Sequence, residues 1–333
     1  LIFCSRPIFL GQQKLSYNRR DVVFAPYNDC WREMRKICVL HLFSHKKVKL
    51  FSPIREDEVS RMITKISQQA NTSQVTNLSN LMISLTTTII CRVAFGIRFD
   101  EEAHEKRRFD ELLQESATMH TSFFVSDFFP YLGWIDKLTG LIDRLEKNFK
   151  DLDEFYEELI EQHHNPNRPK SMDGDIIDIL LKLRKDQSTQ INLTLDNIKA
   201  ILMNIFLAGT DTSAITVIWA MTALLKNPKA MKKVQDEILK SVGKKDIVNE
   251  DDTQNMPYLK AVIKETFRLY PPAPILVARE AMENSILEGY KIPAKTTIHV
   301  NYWAIARDPE CWENPEEFIP ERFLSNNIDY KGQ

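Results

Sequence analysis

Three groups of residues in this 333-residue chain have types and spacing suited to chemistry. The first is Ala208-Gly209-Thr210-Asp211-Thr212-Ser213, a carboxylate among hydroxyls in the middle of the apolar stretch Thr194 to Asn227. Glycine and small hydroxylated residues are poor helix formers. The Thr212 hydroxyl can bond back to the carbonyl of Ala208, four residues earlier, and open the ladder locally. The missing side chain at Gly209 leaves room for something flat against the backbone. A buried acid beside a buried alcohol at such a place reads as a reaction groove; the competing reading is close helix packing at small residues with a satisfied Asp. The second group is Glu265-Thr266-Phe267-Arg268, a carboxylate and a guanidinium one helical turn apart, with Arg322 downstream in Pro320-Glu321-Arg322-Phe323. Alone it is an ordinary surface pair, worth under about 1 kcal/mol. Beside Leu259, Val262, Ile263 and Leu269 it can become a buried network with Arg322, where a planar bidentate cation is favoured. The third is Trp31 and Arg35, four apart and therefore on one helix face, with Arg32 and Lys36 on a neighbouring stripe.

Other chemistries are excluded by pattern. No G-x-G-x-x-G, G-x-x-x-x-G-K or G-x-S-x-G occurs. Cys38, His41 and His45 have metal-like spacing but no second ligand pair, so they read as a buried thiol and two surface imidazoles, and no metal site is assigned. Sequons at Asn71, Asn77 and Asn192 read as local turns and caps.

The elements that must position these groups are mostly helical. The stretch Thr194–Asn227 is apolar nearly all round, which predicts one long buried helix of roughly 50 Å with Thr194 as N-cap and Asn227-Pro228 as its stop. Further helices are expected over 29–42, 52–69, 77–95, 104–121, 141–163, 175–186, from 228 to near Gly243, and over 257–270. Residues 1–28 read as irregular, with Pro7, Gly11 and Pro26 as breakers. The aromatic run Phe123–Pro130 could line a pocket or cap the core. Residues 164–174 form a polar loop and 308–323 a coiled stretch. Strand character comes late and in short pieces, over 276–279, 285–287 and 296–300, with turns at Glu288-Gly289 and Pro293-Ala294. No repeat or low-complexity segment is found. The fold class is mainly α, with a long central helix and a small β region near the C-terminus.

Composition is that of an ordinary globular chain, with 43% hydrophobic and 27% charged residues. Lys plus Arg number 44 against 46 for Asp plus Glu, a balance that argues against a nucleic-acid binder. Five scattered cysteines suggest a reducing compartment and no disulfide framework. No uninterrupted apolar run reaches the 18 or so residues of a membrane span. The chain starts at Leu1 and ends at Gln333 without terminal signatures, and reads as one domain over 1–333, incomplete at both ends.

Taken in order, Ala208-Gly209-Thr210-Asp211-Thr212, Glu265-x-x-Arg268 and Pro320-Glu321-Arg322-Phe323 resemble the cytochrome P-450 family. Trp31-Arg32-Glu33-Met34-Arg35 is similar to its haem-propionate helix. Phe3-Cys4-Ser5-Arg6-Pro7 and Phe24-Ala25-Pro26-Tyr27 resemble the plant microsomal group of specialised metabolism. The resemblance covers essentially the whole chain and implies the cytochrome P-450 helical fold. It implies a haem-thiolate monooxygenase that inserts one oxygen atom of dioxygen into a small lipophilic substrate, with electrons from NADPH through a reductase. It places Trp31, Arg35 and Arg279 on the haem b propionates and Ala208 and Gly209 over the haem. Thr212 and Asp211 would deliver protons for O–O cleavage. Ile205, Phe206, Ile275, Leu276 and Val277 would line the substrate pocket, and Glu265, Arg268 and Arg322 would be structural. It implies the cytosolic face of the endoplasmic reticulum, held by an N-terminal anchor that this sequence lacks. The family's haem-ligating cysteine, in its Phe-x-x-Gly…Cys-x-Gly loop, is expected beyond Gln333, because only ten residues follow Phe323 and none is cysteine. Two other readings fit parts of the pattern. A truncated, inactive scaffold or binding protein fits the missing ligand; a haem isomerase or dehydratase fits the fold, but Asp211-Thr212 argues against it.

Overall fold

The computed structural model describes residues 2–99, 104–169, 174–243, 248–324 and 330. The chain forms two compact units, each assembled from separated stretches. The first comprises Leu1–Phe51, Thr87–Gly209 and Arg279–Ile298; the second comprises Ser52–Thr86, Thr210–Ala278 and His299–Gln333.

In chain order the helices are α1 (Leu10–Leu15), α2 (Asp29–Ile37), α3 (His45–Leu50), α4 (Ser52–Asn71), α5 (Leu78–Phe95), α6 (His104–Thr121), α7 (Val125–Phe128), α8 (Trp134–Leu138), α9 (Leu141–His164), α10 (Ile176–Lys185), α11 (Leu195–Gly209), α12 (Asp211–Lys226), α13 (Pro228–Val242), α14 (Pro257–Leu269) and α15 (Tyr302–Ile305). Four short strands follow α14: β1 (Arg279–Glu280), β2 (Ser285–Leu287), β3 (Tyr290–Ile292) and β4 (Thr297–Ile298). β1 pairs antiparallel with β4, and β2 with β3. The β2–β3 turn places Glu288 and Gly289 in the left-handed region, at φ 49° and 84°, as a tight two-residue hairpin demands. β3 carries no strand signal of its own beyond that turn. Residues 276–278, expected as strand, run outside any ladder; the Leu276 amide instead closes a turn on the Ala273 carbonyl at 3.1 Å.

The first unit is built on long amphipathic helices. α9 buries Leu145, Asn148, Leu152, Phe155, Tyr156, Leu159 and Ile160, a three-and-four spacing that makes one continuous stripe. α5, α6, α9 and α11 each give one phenylalanine to a common cluster. Phe206 stacks on Phe95 at 4.7 Å and meets Phe109 edge-on at 4.9 Å, and Phe155 stacks on Phe109 at 5.2 Å. Residues 2–28 are more ordered than their breakers suggest. α1 forms across Gly11, because the helix lies against the end of α6 so closely that a Cβ at Gly11 would overlap the Met119 carbonyl oxygen.

The second unit has a smaller core of Leu224, Ala230, Val234, Tyr258 and Val262. α14 begins at Pro257, and its first amides are capped from α13. The amides of Tyr258 and Leu259 donate to the two Glu237 carboxylate oxygens, each at 2.8 Å, which satisfies donors a helix start leaves open.

The expected single helix over Thr194–Asn227 is two helices. α11 ends at Gly209 and α12 begins at Asp211, with Thr210 between them at φ −80° and ψ −73°. The weak helix formers Gly209 and Thr210 interrupt the track, and the ladder restarts with the Ala214 amide on the Thr210 carbonyl at 3.2 Å. Thr194 caps the start, its hydroxyl accepting from the Asn197 amide at 3.2 Å. Over 18 residues, Leu78–Phe95 and Leu195–Lys226 each reach a mean hydropathy of 1.5, long and apolar enough to cross a membrane. Core helices pass the same test, and α11 is buried on every side from Asn197 to Phe206.

Gly11→Ala is expected to destabilise the first unit by roughly 1–3 kcal/mol, the usual cost of overpacking, because the obstructing atom belongs to the backbone. Urea denaturation of the two proteins measures it; an unchanged midpoint would show that α1 is not seated on α6.

Candidate functional site

In the first unit the site is organised by a loop that α11 holds in place. The Asp21 carboxylate accepts the Phe24 amide at 2.9 Å and the Asn204 side-chain amide at 2.9 Å. The Asn204 side-chain oxygen accepts the Val22 amide at 3.0 Å, and Asn197, seven residues earlier on the same face, donates to the Arg20 carbonyl at 3.2 Å. Burial pushes the Asp21 carboxyl above the usual carboxylate range, against the pull of these hydrogen bonds. The loop enters through three successive left-handed residues, Tyr17, Asn18 and Arg19, at φ 52°, 58° and 63°, a local strain of the kind that clusters at functional sites. Sequence reasoning missed Asp21, Asn197 and Asn204. The available signal was two asparagines spaced by seven on an otherwise apolar helix.

The loop in turn fixes α2. Asn28 caps that helix by accepting the Trp31 amide at 2.8 Å, and the Trp31 indole N–H donates to the Val22 carbonyl at 3.0 Å. The Arg35 guanidinium lies over the Trp31 ring at 5.4 Å. Among the described residues Arg35 has no carboxylate partner and no hydrogen bond. Among the described residues the Arg279 side chain, on β1, makes one hydrogen bond, to the Phe3 carbonyl at 3.3 Å. Arg6, whose Nε donates to the Val23 carbonyl at 3.0 Å, has its pKa lowered by burial and then by the neighbouring positive charge of Arg279.

On α11, Ile205 and Phe206 are buried in the aromatic core. Phe206 is fully enclosed by Phe95 and Phe109, which corrects its expected place on a pocket wall. Ala208 is exposed and Gly209 half-exposed. A Cβ on Gly209 would stand 2.9 Å from the Ile90 Cδ1 of α5, so the glycine also serves close helix packing, the competing reading weighed for this stretch.

In the second unit, Asp211 is exposed and Thr212 half-buried. The expectation of a buried acid is therefore corrected. The break at Thr210 makes Asp211 the first residue of α12, where a carboxylate suits the positive end of the helix. Ile275, Leu276 and Val277 are all exposed apolar residues, and Leu276 adopts φ 52°, uncommon for a bulky residue.

Glu265, Arg268 and Arg322 meet in this unit. Arg268 and Glu265 are fully buried and paired bidentately at 2.8 and 2.8 Å. The remaining Arg268 donors reach the carbonyls of Ala306 (2.7 Å), Pro315 (2.7 Å) and Glu317 (3.0 Å). Glu265 also accepts the Ile319 amide at 2.8 Å and Arg322 Nε at 3.1 Å. Both guanidinium groups lie over the Trp312 ring.

The remaining titratable groups have structural settings. His163, Asp175 and Asp178 bring their ligand atoms within 4.8 Å of one another. The Arg168 guanidinium already bonds both carboxylates, so the cluster is an ion-pair lock on the α10 N-terminus. All five cysteines are free. Burial pushes the Cys38 thiol up to about 12 and the Cys91 thiol higher still, and neither is a ready thiolate.

Comparison with known proteins identifies the class. The family model described as Cytochrome P450 matches residues 3–332, and the chain belongs to that family. It is 53% identical to 6,7,8-trihydroxycoumarin synthase of Pastinaca sativa, covering 100% of this chain and 66% of that protein. It is 51% identical to 5-OH-xanthotoxin synthase of Ammi majus, again over 100% and 66%. The chain thus spans just under two thirds of the length of these relatives. Among solved structures, a zebra fish cytochrome P450 with progesterone matches at a TM-score of 0.79 and 25% identity, covering 96% of this chain and 72% of that one.

Family membership implies haem iron, and the donor set fits the anionic edge of such a group in part. Arg35 and Arg279 are cations with no carboxylate to neutralise them among the described residues, which suits a bound carboxylate. Trp31 fits differently from expectation. Its N–H is taken by Val22, so it orients Arg35 by stacking and does not donate.

His120 packs behind the same loop, its ring 5.4 Å from Phe24. Its Nδ1 lies 2.8 Å from the Ser116 carbonyl, while Nε2 is buried with no hydrogen-bond partner among the described residues. Burial pushes its pKa down to about 4. The folded state holds the ring neutral while the unfolded chain binds a proton near pH 6.5, so stability falls as pH drops through that window. The loss attributable to His120 is roughly 2–3 kcal/mol by pH 4.5. Urea titrations of wild type and His120→Phe at pH 7 and pH 4.5 measure it; parallel acid losses in both proteins would show that His120 is not held neutral.

Proposed function

We propose that the full-length protein containing this chain is a haem-dependent monooxygenase. It inserts one oxygen atom from dioxygen into a small lipophilic plant metabolite, with electrons from NADPH through a reductase. The relatives' names support a hydroxylated coumarin as the first product class to test. The observation that carries the reading is the break at Thr210, which leaves the Asp211 carboxylate exposed and Thr212 half-exposed at the start of α12. A merely packed small-residue contact needs neither.

Haem, when bound, supplies the redox chemistry that activates dioxygen. The protein supplies the rest. Arg35 and Arg279 would hold the haem carboxylates, and Trp31 keeps Arg35 in place. Ala208 and Gly209, which carry little or no side chain, would leave room for the haem. The Thr212 hydroxyl would offer a proton to the reacting oxygen, and the Asp211 carboxylate would resupply it from solvent. Ile275, Leu276 and Val277 present an apolar surface to the substrate, as does Ile205 at the edge of the core. We place the protein at the endoplasmic reticulum membrane, facing the cytosol. The reductase docks against the α2 stripe of Arg32 and Lys36, both exposed, which pair with Asp29 at 3.1 Å and with the half-buried Glu33 at 3.5 Å.

In the haem-loaded full-length enzyme, Thr212→Val keeps the branched shape and removes the hydroxyl. Substrate binding and NADPH consumption are expected to persist while product per NADPH falls and peroxide rises. Positioned proton donors contribute about 10²–10⁴-fold, so the loss is large. Unchanged product per NADPH would leave Thr212 as a residue that only shapes the helix.

A further inference from the structure

Between Glu33 and Glu56 the chain carries no carboxylate. Lys36, Lys46, Lys47 and Lys49 lie in that interval, with His41 and His45 among them. Within it, α2 does not simply stop. It widens into a π turn, Cys38–Leu42, closed by the Phe43 amide on the Cys38 carbonyl at 2.9 Å. Turns of this kind are rare and collect at functional sites. This one keeps Cys38 and Leu42 in the core and turns Val39, Leu40 and Phe43 outward, each more than half exposed. α3 comes next and buries none of its six residues. A helix so short has little stability of its own, and its Val48 and Leu50 stand 44% and 60% exposed. Five large apolar side chains among cations are thus left open to solvent, a surface that marks an interaction site.

Charge and direction narrow what covers it. A patch of this sign calls for an acidic partner. Lys46 and Lys47 make no ion pair among the described residues, so their charge is available to such a partner. Val48 and Leu50 are two apart and leave α3 on opposite sides. A flat bilayer surface takes an apolar stripe from one side of a helix, whereas a groove that closes round the helix takes both. Basic amphipathic segments are what acidic, helix-binding grooves receive. The groove that a pair of EF-hands opens on binding calcium is apolar and lined by methionine, whose flexible side chains adapt to an irregular pattern of anchors.

We propose that the surface from Val39 to Leu50 seats in the groove of an acidic, calcium-loaded protein of the EF-hand type. Val39, Leu40 and Phe43 of the π turn and Val48 and Leu50 of α3 enter the groove, and Lys46 and Lys47 meet carboxylates on its rim. The contact is made by this chain's own surface and does not depend on the oxygenase reading.

Calmodulin is the probe. The 333-residue chain, titrated into fluorescently labelled calmodulin, is expected to raise its anisotropy with calcium present and to leave it unchanged in EGTA. Leu40→Ser combined with Phe43→Ser is expected to weaken binding at least about tenfold, with helix content unchanged by circular dichroism. Lys46→Glu combined with Lys47→Glu should also weaken binding and flatten its dependence on salt, and it decides the matter if the first variant loses its fold. Absence of binding with calcium overturns the proposal, as does equal binding in EGTA. So does a folded variant of either kind that binds as wild type does. Flotation with phosphatidylserine vesicles, or a dimer formed without calmodulin, that the same substitutions abolish would assign the face to lipid or to a second copy of the chain and overturn it equally.

Discussion

Much of the second unit hangs on one buried ion pair. Glu265 and Arg268 lie one turn apart on α14 and are fully enclosed. Two desolvated charges persist only when every lone pair and N–H is satisfied. Here they are. The five Arg268 N–H groups reach both Glu265 oxygens and the carbonyls of Ala306, Pro315 and Glu317. Those carbonyls belong to a stretch that joins no sheet and has a single helical turn, Pro320–Phe323, at its far end. The pair therefore does for 306–323 what a hydrogen-bonded ladder does elsewhere. Arg322 and the Ile319 amide return to the same carboxylate, and Glu321 is held by Lys233 at 2.5 Å and Tyr258 at 3.0 Å. Coil without ladder bonds thus acquires a defined path from α13 and α14.

The first unit solves a similar problem by different means. Its irregular segment, 16–28, is fixed by polar side chains of α11, an otherwise apolar helix. Asn197 and Asn204 bind backbone groups of the loop directly, and Asn204 also orients Asp21. Trp31 and Arg35 inherit their position from that loop through Val22. Cationic side chains without carboxylate partners are costly to pre-position, and stacking on a tryptophan that is itself hydrogen-bonded is one way to do so.

The long helices were legible because their apolar periodicity runs over many turns, as in α9. The Glu265–Arg268 spacing was legible as a pair, but its burial depends on carbonyls about forty to fifty residues away, which no local pattern encodes. The single helix across 194–227 was overcalled because average apolarity outweighed two weak helix formers at 209 and 210. Asp211 followed the same error: an acid inside a buried helix becomes an exposed first-turn acid once the helix restarts. α1 was missed because Gly11 reads as a breaker, whereas it is there to let the helix touch α6. Phe206 was assigned to a pocket wall, yet it belongs to an aromatic cluster whose other members come from three distant helices.

A double-mutant cycle on Glu265 and Arg268 in the 333-residue chain, read by urea denaturation, tests most directly whether this pair organises the second unit. Each single change to alanine should cost about 3–5 kcal/mol, because it strands a buried charge. The double variant should lose far less than the sum of the two. Strictly additive losses, or single losses below about 1 kcal/mol as for an exposed bridge, would contradict the account.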